Sequence, residues 1–276
     1  IYAFQGKNLQ RIDKDGHLIW KQDSMVAHHS MTMDADSNIW VCSFENTFQA
    51  NGLYYIDRKE IFFKDNFITQ LDAETGEVLF HKSMAELLSE NNLGNYLLKS
   101  MTIADPLHNN DVQPALKTTS FYQKGDVFVS LKNPSFIIHY RPSENKLIDI
   151  IEGPFISQHD VDFYDENTLV IFNNNDYEGW TSKGMDVPKT QKAYQIGDFY
   201  SNIVAYHFPA DSFYFIGDSI FRDQQIFTYT EGLQEFITPT MYFVEEQNSG
   251  KLWVIKDDEV VYKNVLRSQH EGYHHL

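Results

Sequence analysis

Three histidines stand just ahead of, or at the start of, short apolar segments: His29, His108 and His159. A neutral imidazole is a competent nucleophile near neutral pH, and a second imidazole can give and take the proton that the reaction moves. One histidine at a strand start is commonly a turn residue whose N–H donates to a carbonyl. Three at corresponding points of different repeats should instead converge on one axis, where a propeller binds ligands at the mouth of its central channel. No carboxylate stands at a clear ligand spacing from them, so no metal is expected. Asp160 follows His159 directly, but neighbours along a strand point to opposite faces, so it is not assigned to orient that ring.

The elements that must position these histidines recur along the chain. One unit reads 29–34, a turn through Asp36 and Ser37, then 38–43. Others read 110–114 resuming at 125–131, 159–164 with 167–172, and 232–236 with 241–246. Each pairs a short alternating strand with a more apolar one suited to a central position. Two further strands follow each pair: 67–72 with 77–80, 136–140 with 146–150, 203–206 with 212–215, and 252–255 with 259–262. Four meandering strands per repeat make the blade of a β-propeller, so the fold class is all-β. Segments 9–13 and 17–20 form an outer pair without inner strands before them. The count is four complete sets and at least one split or incomplete blade, which does not separate five blades from six. The whole chain, 1–276, reads as one propeller domain with two insertions, near 83–105 and 176–198. Within the first, 84–93 predicts a short helix. Within the second, 177–197 predicts a long loop that could place Tyr177 and Trp180 over the channel mouth.

The residues around the histidines resemble the bacterial arylsulfotransferase family. Gln158-His159-Asp160, followed by Thr168-Leu169-Val170-Ile171-Phe172-Asn173-Asn174-Asn175, is similar to its Gln-His segment and the apolar strand ending in Phe-Asp-Asn. His108-Asn109-Asn110, followed by Ser130-Leu131-Lys132, resembles its His-x-Asn-Ser and Ser-x-Arg segments. His28-His29-Ser30 resembles its first histidine segment, and Tyr229-Thr230-Glu231-Gly232 with Phe243-Val244-Glu245-Glu246 looks like bacterial relatives. The likeness runs in order from Ile12 to Arg267. It implies a six-bladed propeller that moves a sulfuryl group from an aryl sulfate to a phenol, with no nucleotide sulfate donor and no cofactor. It implies His159 as the residue transiently sulfurylated, His108 as acid and base, and His29, Lys132 and Asn110 as substrate contacts. It also implies an extracytoplasmic, periplasmic or membrane-anchored setting. Lys132 stands where the family has arginine; lysine keeps the charge but lacks the planar fork that grips two sulfate oxygens. The rival expectation is a non-catalytic propeller that binds an anionic or aromatic ligand, or a partner, at the same mouth.

Composition narrows these readings. Of 276 residues, 21 are Phe and 16 Tyr, which suits half-buried pleated surfaces. The net charge of −17 argues against nucleic acid, whose phosphates require clustered Lys and Arg. It also means that any site for a sulfate must be locally rich in donors, against the average field. Cys42 is the only cysteine, so neither an intrachain disulfide nor a thiolate zinc cluster forms. No run of 18 apolar residues is present to span a membrane. The chain opens at Ile1 without Met and reads as processed or trimmed. His17, His81 and His207 read as ordinary surface or core residues, and His139 as half-buried. His270, His274 and His275 close the chain as a tag, a strand or a tail.

Overall fold

Alternation along the strands dictates the architecture. In a strand, odd and even residues face opposite sides, and in a strand buried on both sides each set must find its own neighbour. Such strands are stacked like the blades of a propeller, and a computed structural model, describing residues 2–3, 8–45, 52–56, 59–100, 102–176 and 200–266, has that form.

Strands β1 (Tyr2–Ala3), β2 (Leu9–Ile12) and β3 (Leu18–Gln22) make a three-stranded sheet. The first four-stranded blade begins with β4 (Val26–Met33) and β5 (Asn38–Phe44). A separate hairpin, β6 (Gly52–Ile56) and β7 (Lys59–Phe63), interrupts it, and the blade resumes with β8 (Phe67–Asp72) and β9 (Val78–Ser83). The second blade is β10 (Asn109–Pro114), β11 (Val127–Leu131), β12 (Phe136–Arg141) and β13 (Lys146–Ile151). The third is β14 (His159–Asp165), β15 (Thr168–Asn173), β16 (Asn202–His207) and β17 (Ser212–Ile216). The fourth is β18 (Leu233–Thr238), β19 (Met241–Glu246), β20 (Lys251–Lys256) and β21 (Glu259–Val265). All four blades are antiparallel meanders in chain order.

The strand pairs and the incomplete first sheet correspond to the sequence reading. The β6–β7 hairpin does not, nor does the short helix α2 (Asp218–Asp223). The expected helix is α1 (Met84–Glu90), shorter than 84–93 because the chain turns at Asn91 and re-enters a 3-10 turn at Gly94–Lys99. The predicted loop at 177–197, with Tyr177 and Trp180, lies outside the described residues, as do His270, His274 and His275. No helix among the described residues is long and apolar enough to cross a membrane.

The core lies between blades. Val127, Val129 and Leu131 of β11 pack toward the first blade, against a cluster including Trp40, Ile68 and the α1 residues Met84 and Leu87. Phe128, between them, points the other way, toward Leu169 and Ile171. Val170 and Phe172 then face Tyr242, Val244 and Trp253 of the fourth blade. Leu9 of the first sheet packs on Ile39, Val41 and Leu71. Completely burying each such side chain contributes about 1.5–3 kcal/mol, which fixes the angle between neighbouring blades. Inner strands β4, β10, β14 and β18 are thereby brought side by side around the channel.

Candidate active site

The inner strands do not begin regularly. In β4, His28 pairs with Cys42 and Met31 with Val41, so His29 and Ser30 are supernumerary. In β10 the unpaired residue is Asn110; in β14 it is Asp160. These are β-bulges, which bend a strand and re-aim its side chains. His29, His108 and Asp160 have left-handed φ of 56°, 48° and 51°, a conformation that costs free energy and recurs at functional sites.

The bulges gather the histidines, although they hold different register positions: His108 precedes its strand, His159 opens one and His29 is extra within one. His29 Nε2 lies 3.2 Å from His108 Nε2, and the His29 ring centroid is 5.7 Å from that of His159. Lys132, in the turn after β11, is close enough for its charge to depress both His29 and His159. Its backbone N–H donates to the carbonyl of His108. His29, Asn110 and His159 line a cavity of about 440 Å³ with Ser30, Asp111, Asp160 and Glu231.

His159 is 4% exposed and its proton has an assigned place. Nδ1–H donates to Asn174 Oδ1 at 2.6 Å and approaches the carbonyl of Ser157 at 3.2 Å. Asn174 cannot turn its amide around, because Nδ2 donates to the carbonyls of Thr228 and Glu231. The Nε2 lone pair is therefore left facing the cavity, with only a long 3.3 Å contact from the Glu231 N–H. Burial, then the charges of His29 and Lys132, push the His159 pKa well below its usual value. Burial, then the charges of His108 and Lys132, bring His29 down to about 3, so both rings are neutral at physiological pH. Gln158, fully buried, fixes the strand start by donating to Ser130 Oγ and the carbonyls of Leu131 and Phe136 in the preceding blade.

His108 is held differently. Its Nδ1–H donates to Asp105 Oδ2 at 2.7 Å, a carboxylate that also accepts from Asn66 Nδ2. Although burial works to raise it, the His108 hydrogen bond and charge keep the Asp105 pKa below the usual range. One histidine is thus backed by a neutral amide and the other by a carboxylate, and the two partners suit the rings to different tasks.

Two sequence expectations need correction. Asp160 does share a cavity with His159, since the bulge suspends alternation; His159 is nevertheless oriented by Asn174. His139 is buried, not half-buried, at 3% exposed, and bonds to Asp126, which also pairs with Arg141. Asn110, implied as a substrate contact, lines the cavity, spends one amide N–H on the carbonyl of Gln158 and leaves its Oδ1 without a hydrogen-bond partner. Sequence reasoning missed Asp105, three residues before His108, and Asn174, inside an Asn run already noted. It also passed over His28, stacked on Phe44 at 3.9 Å beneath the Lys64 ammonium. Among the described residues, no group of three or more His, Cys, Asp or Glu is arranged to hold a metal ion.

Fold and site together define a propeller that assembles a polar, histidine-bearing cavity from successive inner strands. The chain belongs to the arylsulfotransferase family: the family model described as arylsulfotransferase (ASST) matches residues 2–265. No curated protein matches the chain. Among solved structures it is similar to a protein of unknown function from Bacteroides caccae, with 11% identity and a TM-score of 0.58, over 95% of this chain and 76% of the other. The RRP9 WD40 repeats are similar at 8% identity and a TM-score of 0.50, over 99% of this chain and 63% of theirs. At these identities the likeness shows the fold alone.

Proposed function

We propose that the chain transfers a sulfuryl group from an aryl sulfate to a phenol through a sulfohistidine at His159. The observation that carries this reading is the fixed tautomer of His159, with Nδ1–H held by Asn174 and Nε2 open to the cavity. Nε2 attacks sulfur, the S–O bond to the aryl group breaks, and protonated His108 gives its proton to the leaving phenolate. The adduct keeps its Nδ1 proton and so is an N-sulfo imidazolium, which leaves readily. In the second half the acceptor phenol loses its proton to His108 as its oxygen takes the sulfuryl group and His159 is restored. His29 and Lys132 stabilise the charge spread over the sulfuryl oxygens in both transition states. A six-bladed ring and an extracytoplasmic setting belong to the same proposal; the described sheets supply four blades and part of a fifth.

The test is incubation with 4-nitrophenyl sulfate and no acceptor. One equivalent of 4-nitrophenol is released per chain, leaving an acid-labile sulfuryl group on His159. His159→Ala abolishes both, and His108→Ala slows them by about 10²–10⁴, the contribution usual for a positioned proton donor. Lys132→Arg preserves or raises turnover, since the guanidinium fork grips the same oxygens more firmly. An adduct on another residue would reassign the nucleophile. Absence of nitrophenol release, in wild type and Lys132→Arg alike, would leave the binding propeller in its place.

A further inference from the structure

Among the described residues, one side of the cavity carries no cationic group. Away from His29 and His159 it is lined by Asn110, Asp111, Asp160 and Glu231. Asp111 Oδ2 accepts from the Val161 N–H at 2.7 Å, and Asp160 Oδ2 from the Gln234 N–H at 2.6 Å. Each carboxylate thus has one oxygen held by backbone. Asp162 and Glu235 follow along the same inner strands and add further negative charge beside Asp111 and Asp160.

The second observation concerns amides. Asn110 is 3% exposed and lines this cavity, yet its Oδ1 has no hydrogen-bond partner. Gln234, buried behind this wall, holds Asp160 in place by donating through Nε2 to its carbonyl. A buried acceptor left without a donor is costly, and Asn110 Oδ1 stands in the same lining as the two carboxylates. The carboxylates and this amide oxygen make the wall rich in acceptors, although Ser30 and Gln247 also line the cavity. A primary ammonium carries three donors and no acceptor, and it complements that wall in both charge and hydrogen bonding.

We propose that the acceptor substrate is an amine-bearing phenol, whose hydroxyl faces His159 and His108 while its ammonium group rests on Asp111, Asp160 and Asn110 Oδ1. This deepens, and rests on, the sulfuryl-transfer reading. The transfer itself is unchanged: the phenol oxygen bonds to sulfur, the N–S bond to His159 breaks, and the phenol proton goes to His108. Burial raises Asp111 to about 6, and burial with the neighbouring Asp162 and Asp111 raises Asp160. An ammonium seated between them supplies the missing countercharge. The cationic end also answers the molecule's own field, since a net charge of −17 attracts such an acceptor.

Three phenols of similar size separate the possibilities: tyramine, neutral 4-propylphenol and anionic 3-(4-hydroxyphenyl)propionate. Calorimetric binding without a sulfate donor should rank them in that order, with tyramine at least about tenfold tighter than 4-propylphenol, the scale of one added charge-assisted contact. In Asp160→Asn and Asp111→Asn the tyramine-to-propylphenol ratio should fall to within about threefold of one. Equal binding of tyramine and 4-propylphenol to wild type overturns the proposal, as does a ratio that persists in both variants. If the variants do not fold, the wild-type ranking decides alone. Tyramine preference without transfer from 4-nitrophenyl sulfate keeps the ammonium subsite and rejects the sulfuryl reading. Transfer to all three phenols at equal KM keeps the reading and rejects the subsite.

Discussion

A histidine ring has two nitrogens, and the one without the proton does the chemistry. For His159 that choice rests on the neutral carbonyl oxygen of Asn174, itself fixed by two backbone carbonyls. A carboxylate in its place would pull harder on Nδ1–H and stabilise the sulfurylated ring, slowing the second half of a two-step transfer. An amide holds the tautomer without that penalty. Asn174→Ala should therefore slow adduct formation by about 10–100-fold, roughly the value of a hydrogen bond that becomes charged in the transition state. Nitrogen-15 spectra of the variant should show the Nε2–H tautomer of His159, a change that loosened packing alone does not produce. The depressed pKa values argue further. A base with a lowered pKa keeps its reactive form to lower pH, so protonation of His159 should not diminish the nitrophenol burst between pH 7 and about pH 5. A burst that fell with a midpoint near the ordinary histidine value, in wild type, would contradict the buried, neutral ring.

At the scale of elements, α1 offers a separate test. Its N-cap Ser83 accepts from the Glu86 N–H and donates to Asp65, whose carboxyl burial pushes up to about 6. A carboxyl whose folded pKa exceeds its unfolded value contributes stability that is complete below the unfolded pKa and is lost as pH rises through the folded one. Asp65→Asn removes this dependence. Relative to wild type, the variant should gain stability as pH rises from about 4 to about 6, by about 1–2 kcal/mol, read from urea midpoints at each pH. Much of this level was legible in the sequence. The meandering strand pairs show because Val127 to Leu131 and Leu169 to Phe172 are apolar on both faces, the mark of a strand between two neighbours. The bulges were not legible. Nothing in His29-Ser30 or His159-Asp160 announces an unpaired residue, and strict alternation therefore misjudged which neighbours of His159 face the cavity. Asn174 was hidden for another reason: the partner of His159 is set by where the chain returns, whereas Asp105, three residues before His108, was within reach of the sequence and overlooked. The β6–β7 hairpin lay in a stretch read only as a gap between strands.

At the scale of the molecule, the field works against one proposed substrate. With a charge of −17, an anionic aryl sulfate approaches uphill, whereas a neutral phenol is indifferent. Raising ionic strength from about 0.01 to 0.15 M shortens the screening length from about 30 to about 8 Å. The kcat/KM for 4-nitrophenyl sulfate should rise severalfold over that range, and that for 4-propylphenol as acceptor should stay level. A fall for the sulfate would mean that local cations, Lys132 foremost, dominate its capture.

The distribution of the histidines over the ring has a last consequence. His29, His108 and His159 come from three successive blades, and no pair among them shares a sheet. Each blade can keep its own ladder intact while the three rings drift apart, because only the packing between blades sets their spacing. The site thus works as a gauge of assembly rather than of folding. In a denaturant series the capacity to bind tyramine should disappear before the circular-dichroism signal of the strands, with the gap between the two midpoints reporting how loosely one blade is geared to the next.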